Sequence, residues 1–306
     1  MRDFPSCFGE NGVQVADASC SSVGGVTNKA PQNLVTCVYQ CKLLGKSCLI
    51  AVVWTKSLMG QCLSVEIDDM SHQCLCKVDV KPSLFSKRKG SRSLEVVNSC
   101  KIDIVWDLSL AKFGSGPEPI EGYYLAIVCK GQMVLAIGDL WKEAFKKTNA
   151  SPPISNAMFI SKREHIFGKK VFSTKGQFCY TGPIHDITIE CDSTNVIDDP
   201  CLLVRIDSKT VMQVKHLRWK FRGNYTVLID GLPVEVFWDV HNWLFSSSNF
   251  GNAVFMFQTC LSAEKLWTTQ TLSDLSVMPW PYTESLRNSK SPGSGFSLVL
   301  YVWKNE

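Results

Sequence analysis

The stretch KHLRWKFRG, Lys215 to Gly223, alternates cationic and apolar residues. As an extended strand it puts His216, Arg218, Lys220 and Arg222 on one side and Leu217, Trp219 and Phe221 on the other, because successive side chains point to opposite faces. That pattern predicts a cationic row on a half-buried strand, with Trp219 and Phe221 committed to the core. A second basic cluster is SKREHIFGKK (Ser161 to Lys170), which carries Arg163, Lys169 and Lys170. A third, FSKRKGSR (Phe85 to Arg92), also has the form of a nuclear-localisation run. Three such clusters on one face attract phosphate or carboxylate, in an anionic lipid headgroup, in RNA or in an acidic protein. The competing reading is a solvated strand face whose charges keep an edge from aggregating. With both aromatics in the core, base stacking has no platform, which lowers RNA relative to lipid or protein.

Groups for catalysis are sparser. Asp239 and His241 in FWDVHNW offer a carboxylate and an imidazole two residues apart, a start for hydrolase chemistry if a third polar group meets them in a cleft. The tripeptide Gly45-Lys46-Ser47 ends like a phosphate loop, but Gln40 stands where its first glycine belongs, so it is assigned to a hairpin turn. No Gly-x-Ser-x-Gly elbow and no His-Glu-x-x-His occurs. Cys37, Cys41, Cys48, Cys62, Cys74 and Cys76 are close together but include no Cys-x-x-Cys pair, and most fall on strand-like segments where cysteine acts as a small hydrophobe. Neither metal nor cofactor is expected, no catalytic residue is assigned, and the favoured class is a binding module rather than an enzyme. A structural adaptor is a further alternative and would show an exposed apolar patch.

The elements that must position these groups are strands. With 45% hydrophobic and 20% charged residues and a net charge of +4, the composition is that of a mildly basic globular protein. The beginning of the chain has no apolar run of signal-peptide length, and no apolar stretch long enough for a transmembrane helix occurs. The 14 cysteines are then read as thiols in cytosol or nucleus, and the sequons at Asn149 and Asn224 as unglycosylated. Residues 1–33, rich in Ser, Gly and Asn, read as a loosely attached tail. From Leu34 onward, short alternating segments rich in Val, Ile, Leu, Phe, Tyr and Trp recur every ten residues or so between turn residues, the spacing of an all-β protein. Only two helices are expected, Gly138 to Thr148 with Asp139 as N-cap, and a shorter one from Ser262.

Two segments resemble each other. A shift of 132 positions superposes Val96 on Leu228, Ile102 on Val234, Ile104 on Val236, Trp106 on Trp238, Asp107 on Asp239 and Phe113 on Phe245. His241 then faces Ser109 and is no part of the repeated pattern. The expectation is an internal duplication: two related antiparallel β-sandwich halves, residues 34–148 and 157–306, joined by a linker at 149–156 that holds Pro152 and Pro153. Asn98-Ser99 and Asp230-Gly231 would be tight hairpin turns, with Val234, Val236, Trp238 and Val240 in the core.

FRGNYTVLIDGLPVEVFWDVHNWLF (Phe221 to Phe245), NAVFMFQTCLSAEKLW (Asn252 to Trp267), FGSGPEPIEGYYLAIV, SKREHIFGKKVFSTKGQF and DPCLLVRIDSK together resemble a plant family catalogued as domain of unknown function 868. The likeness runs from about Asn33 to Cys260. It implies a plant source and no particular activity, so no catalytic residue is carried over from it.

Overall fold

The computed structural model describes residues 34–57, 60–71, 73–80, 88–96, 100–114, 116–153, 157–167, 171–179, 182–192, 200–246, 251–259 and 295–304. The fold is all-β. An antiparallel meander opens it: β1 (Leu34–Leu43), β2 (Lys46–Ser57), β3 (Gly60–Asp69) and β4 (Cys74–Val80). β5 (Lys89–Val96) and β6 (Cys100–Asp107) come next, followed by a ribbon of β7 (Lys112–Phe113) and β8 (Pro119–Glu121). β9 (Tyr124–Cys129) and β10 (Gln132–Ile137) then complete a four-stranded sheet in the order β10-β9-β6-β5. After α1 (Trp141–Thr148) and β11 (Met158–Phe167), a second meander follows: β12 (Val171–Gly176), β13 (His185–Asp192), β14 (Cys201–Ile206) and β15 (Lys209–Val214). The chain closes with β16 (Arg222–Ile229), β17 (Leu232–Asp239), α2 (His241–Phe245), β18 (Asn252–Thr259) and β19 (Ser297–Trp303).

Nine strands share one sheet, in the order β16-β17-β18-β19-β11-β1-β2-β3-β4. β11 is the joint. It runs antiparallel to β1 and parallel to β19, a parallel pair in an otherwise antiparallel ladder system. Two sandwich halves expected as antiparallel units are thus fused through a continuous sheet, because the strand after the prolines pairs on both its edges.

Register shows that both cores lie on one face of this sheet. Cys37 and Val35 of β1 stand opposite Lys162 and Glu164, which in turn stand beside Leu298 and Leu300 of β19. Val35 and Cys37 pack with Trp54, Ile67, Ile104 and Leu125 in one core; Leu298 and Leu300 pack with Ile187, Val204, Val236 and Phe255 in the other. Side chains of paired strand residues share a face. The two four-stranded sheets therefore sit side by side over the nine-stranded one, with β11 beneath the seam.

Local chemistry fits these elements. The β1–β2, β9–β10, β14–β15 and β16–β17 turns are Leu44-Gly45, Lys130-Gly131, Asp207-Ser208 and Asp230-Gly231, each with positive φ at both residues. That is the two-residue geometry whose twist matches paired strands. Asn98-Ser99 and the helix expected from Ser262 lie outside the described residues. Val234, Val236 and Val240 are fully buried and Trp238 nearly so, as their alternation required. α1 packs Ala144 on the outer side of the first small sheet, against Val105, Ala126 and Val128. Asp139 does not cap it. Leu140 holds the N-cap position, and the Asp139 carboxylate accepts instead from the backbone N–H groups of Gly122 (2.8 Å) and Tyr123 (3.1 Å). Capping demands a local geometry, and a loop with two unpaired donors competed for the same acceptor.

Candidate functional site

The most exposed large apolar side chain among the described residues lies in the segment first read as a strand. Residues 215–221 are a turn between β15 and β16, and strand geometry resumes only at Arg222. His216 takes a left-handed conformation, φ 57°, and its carbonyl accepts from the N–H groups of Trp219 (2.9 Å) and Lys220 (3.0 Å). Leu217 is driven into the core, anchored by its N–H to the Pro200 carbonyl at 3.0 Å. Trp219 is expelled: 86% of its surface is open. The expectation that Trp219 shares the core with Leu217 is thereby overturned, since a turn breaks the period-two relation between them.

Around this indole stand exposed Lys215, His216, Arg218, Lys220 and Arg222. Arg222 is committed to Asp239, with Nε at 2.8 Å from Oδ2 across the β16–β17 ladder. No ion pair involves Lys215, Arg218 or Lys220 among the described residues. Behind the turn, Phe221 is half-buried and meets His241 at 5.1 Å and Phe245 at 5.8 Å between ring centroids. Phe245, on α2, is 49% exposed. The end of this sandwich thus presents one protruding indole, one half-open phenyl ring and a set of cations.

The other predicted cations are elsewhere. Arg163 lies on β11, opposite Thr36 and beside Val299, on the outer face of the nine-stranded sheet. Four strand spacings, about 19 Å at 4.8 Å each, separate it from β16. Beside it in sequence, His165 stacks on Tyr301 at 4.8 Å, and burial, with Arg163 next, brings its pKa down to about 4. Lys169 and Lys170 lie outside the described residues. A single basic face holding all three clusters is therefore not assembled by the described residues.

Asp239 and His241 do not form an acid–imidazole pair. Oδ1 of Asp239 accepts from the backbone N–H of His241 at 3.0 Å, while the His241 ring meets the Asn242 side chain at 3.2 Å. Asp107 makes the same contact to the N–H of Ser109, 3.0 Å. In both places the carboxylate closes a turn after the tryptophan strand, which its short polar side chain suits.

Two polar clusters were invisible in sequence. His185, buried, spans two hairpin turns: Nδ1 is 2.7 Å from Asp207 Oδ2 and Nε2 is 2.9 Å from Asp230 Oδ2. Burial alone would lower its pKa, but the hydrogen bonds to both carboxylates outweigh that and raise it. Under the seam, Lys162 Nζ lies 2.7 Å from Glu164 and 3.2 Å from Glu118, and Thr174 donates to Glu164 at 2.5 Å. Burial opposes the ammonium, yet the two carboxylates hold its pKa well above the ordinary lysine value. Lys162 and Glu164 are two apart on one strand, but Glu118 and Thr174 are too far from them in sequence for spacing to reveal the cluster.

The cysteines behave mainly as packing residues. Cys37, Cys41, Cys48 and Cys76 are buried; burial pushes the Cys41 thiol up to about 12 and that of Cys76 to about 11. Glu66, Asp68 and Cys74 bring ligand atoms within 4.8 Å of one another, but Lys77 ion-pairs with Glu66 at 3.3 Å, and burial with both carboxylates raises the Cys74 pKa.

The chain belongs to a family described as plant protein of unknown function (DUF868), whose model matches residues 30–304. Neither a curated protein nor a solved structure matches it. No helix among the described residues is long and apolar enough to cross a membrane.

Proposed function

We propose that this protein is a non-enzymatic binding module that docks reversibly on an anionic bilayer surface through the β15–β16 turn. The observation that carries the reading is Trp219, 86% exposed between Arg218 and Lys220 on a protruding turn. An indole of this kind suits the headgroup boundary, where its apolar body is buried and its N–H stays wet. Each Lys or Arg close to an anionic leaflet contributes about 1 kcal/mol. Lys215, Arg218 and Lys220 then supply about 3 kcal/mol and the indole about 2 kcal/mol, enough for weak, salt-sensitive attachment.

RNA is the less favoured partner of the same turn. Single strands bind along grooves with successive aromatic platforms, whereas Phe221 is engaged edge-on with Phe245 and next to His241. A hydrolase reading around Asp239 and His241 finds no support in their geometry, since the carboxylate serves Arg222 and a backbone N–H. The first half carries a comparable basic run in sequence, Lys87, Arg88 and Lys89, which leads from its meander into the first residue of β5. Together with the four-stranded meander that comes early in each half, this supports an internal duplication in which the connection between sheets became the docking loop.

Vesicle flotation tests the reading. The chain is expected to float with phosphatidylcholine vesicles containing phosphatidylserine at low salt, to detach at high salt, and to ignore pure phosphatidylcholine. Trp219→Ala and the pair Arg218→Glu with Lys220→Glu should each abolish flotation. Flotation unchanged in both variants, or tighter binding to single-stranded RNA than to the charged vesicles, would sink it.

A further inference from the structure

Among the described residues the three larger sheets end in six edge strands: β16 and β4 on the large sheet, β10 and β5 on the first small one, β12 and β15 on the second. Charges within the strand blunt four of them: Lys77 and Asp79 on β4, Lys89, Arg92 and Glu95 on β5, Lys175 on β12 and Lys209 on β15. β10 has no charge, but Gln132 bridges to Ser151 alongside it, and Met133 and Gly131 exchange backbone hydrogen bonds with Ser151. β16 has one charge, Arg222 at its first residue, which is paired with Asp239, and no strand among the described residues covers its outer edge. From Gly223 to Ile229 it reads GNYTVLI, without charge or proline, and Asn224, Tyr225, Thr226 and Leu228 are all exposed, Tyr225 at 55% and Leu228 at 73%. Natural sheets avoid such an edge unless something pairs with it.

Its free hydrogen-bonding groups can be assigned. The two-residue turn Asp230-Gly231 makes Ile229 and Leu232 a hydrogen-bonded pair. Alternation along the ladder then points the N–H and C=O groups of Asn224, Thr226 and Leu228 away from β17, toward the open edge. We infer that this edge is a homodimer interface, at which β16 pairs antiparallel with β16 of a second copy about a twofold axis through Thr226.

Self-complementarity favours a second copy over an unrelated peptide. In this register Thr226 faces Thr226 of the partner subunit and Tyr225 faces Val227 of the partner subunit. Thr–Thr and aromatic–β-branched pairs are favourable cross-strand neighbours. The strand is bounded by Arg222 at one end and Asp230 at the other, with no charge between. Antiparallel pairing therefore sets opposite charges at the same level at both ends, while parallel pairing would align like charges. The two nine-stranded sheets become one continuous sheet, and the edge disappears. The twofold contact is isologous, so the assembly closes as a dimer.

Sedimentation of the full chain tests the interface. The wild type is expected at twice the 34.2 kDa chain mass. Thr226→Pro removes an outward N–H without touching the β16–β17 ladder, and should give a monomer. Thr226→Lys keeps the N–H but sets two like charges face to face on the axis, and should also give a monomer that still unfolds cooperatively; it decides the matter if the proline variant fails to fold. Amide exchange at Asn224 and Leu228 should quicken in both variants. A monomeric wild type, a dimer that survives both substitutions, or a monomer that instead captures an extended peptide along β16 overturns the assignment.

Discussion

Gly223 stands directly across the β16–β17 ladder from Trp238, and the indole fills the space a β-carbon on that glycine would need. The same relation holds in the other half, where Gly90 faces Trp106 and an added β-carbon would come within 2.8 Å of the ring. Next to each tryptophan an aspartate meets a cation on the opposite strand: Asp239 with Arg222 and Asp107 with Lys89. Replacing either glycine by alanine must displace the indole or part the strands. Gly223→Ala is expected to cost about 1–3 kcal/mol and Gly90→Ala no more than that, because overpacking a filled site forces side chains off their preferred rotamers. Urea unfolding of the two variants measures it.

The His185 clamp makes stability depend on pH. Its folded pKa is raised by Asp207 and Asp230 despite burial, so the protonated form is the one folding favours. That contribution is complete below the ordinary histidine pKa, about 6.5, and is lost as pH rises through the higher folded value. The melting temperature should therefore fall from pH 6 toward alkaline pH, and His185→Ala should flatten that slope. A wild-type slope of opposite sign would show that the imidazole folds neutral.

Beneath the seam, Lys162 is the cation for two carboxylates. Lys162→Met leaves Glu164 and Glu118 facing each other without it and should destabilise by about 3–5 kcal/mol, as for a broken buried pair. Adding Glu164→Leu should recover much of the loss, because an apolar pair of similar volume needs no solvation. Denaturant midpoints of the single and double variants separate the two effects.

Trp219 and Trp238 should part company on substitution. Trp219→Ala should change stability by no more than about 0.5 kcal/mol, as befits an exposed site, while Trp238→Ala should cost about 3–5 kcal/mol. Trp219→Ala should nonetheless abolish the salt-sensitive vesicle binding. Melting curves beside flotation check both.

Much of the fold was legible because strands announce themselves. Val234, Val236, Trp238 and Val240 alternate with polar residues, and all four are core. The tight Asp230-Gly231 turn and the scarcity of helix followed from the same local rules. The basic turn differs from the expected strand for an equally local reason: His216 to Phe221 also alternate, and alternation alone does not distinguish a strand from a turn that turns one residue out. A readable signal was present, since residues 215–222 hold no β-branched residue while KTVMQV and NYTVLI on either side do.

What the amino-acid order determined by itself was which segments are strands, which face of each is apolar and where the tight turns fall, because these depend on residues a few positions apart. Tertiary structure decided the rest. Only pairing on both edges of β11 could merge the halves into one sheet and bring Lys162 to Glu118; the way the second meander meets β16 and β17 brought His185 to Asp230, and it left Trp219 in water and the outer edge of β16 unpaired among the described residues. Those outcomes depend on which chemically similar edges and carboxylates meet across long separations, and the periodicity of a single segment carries no trace of its partner.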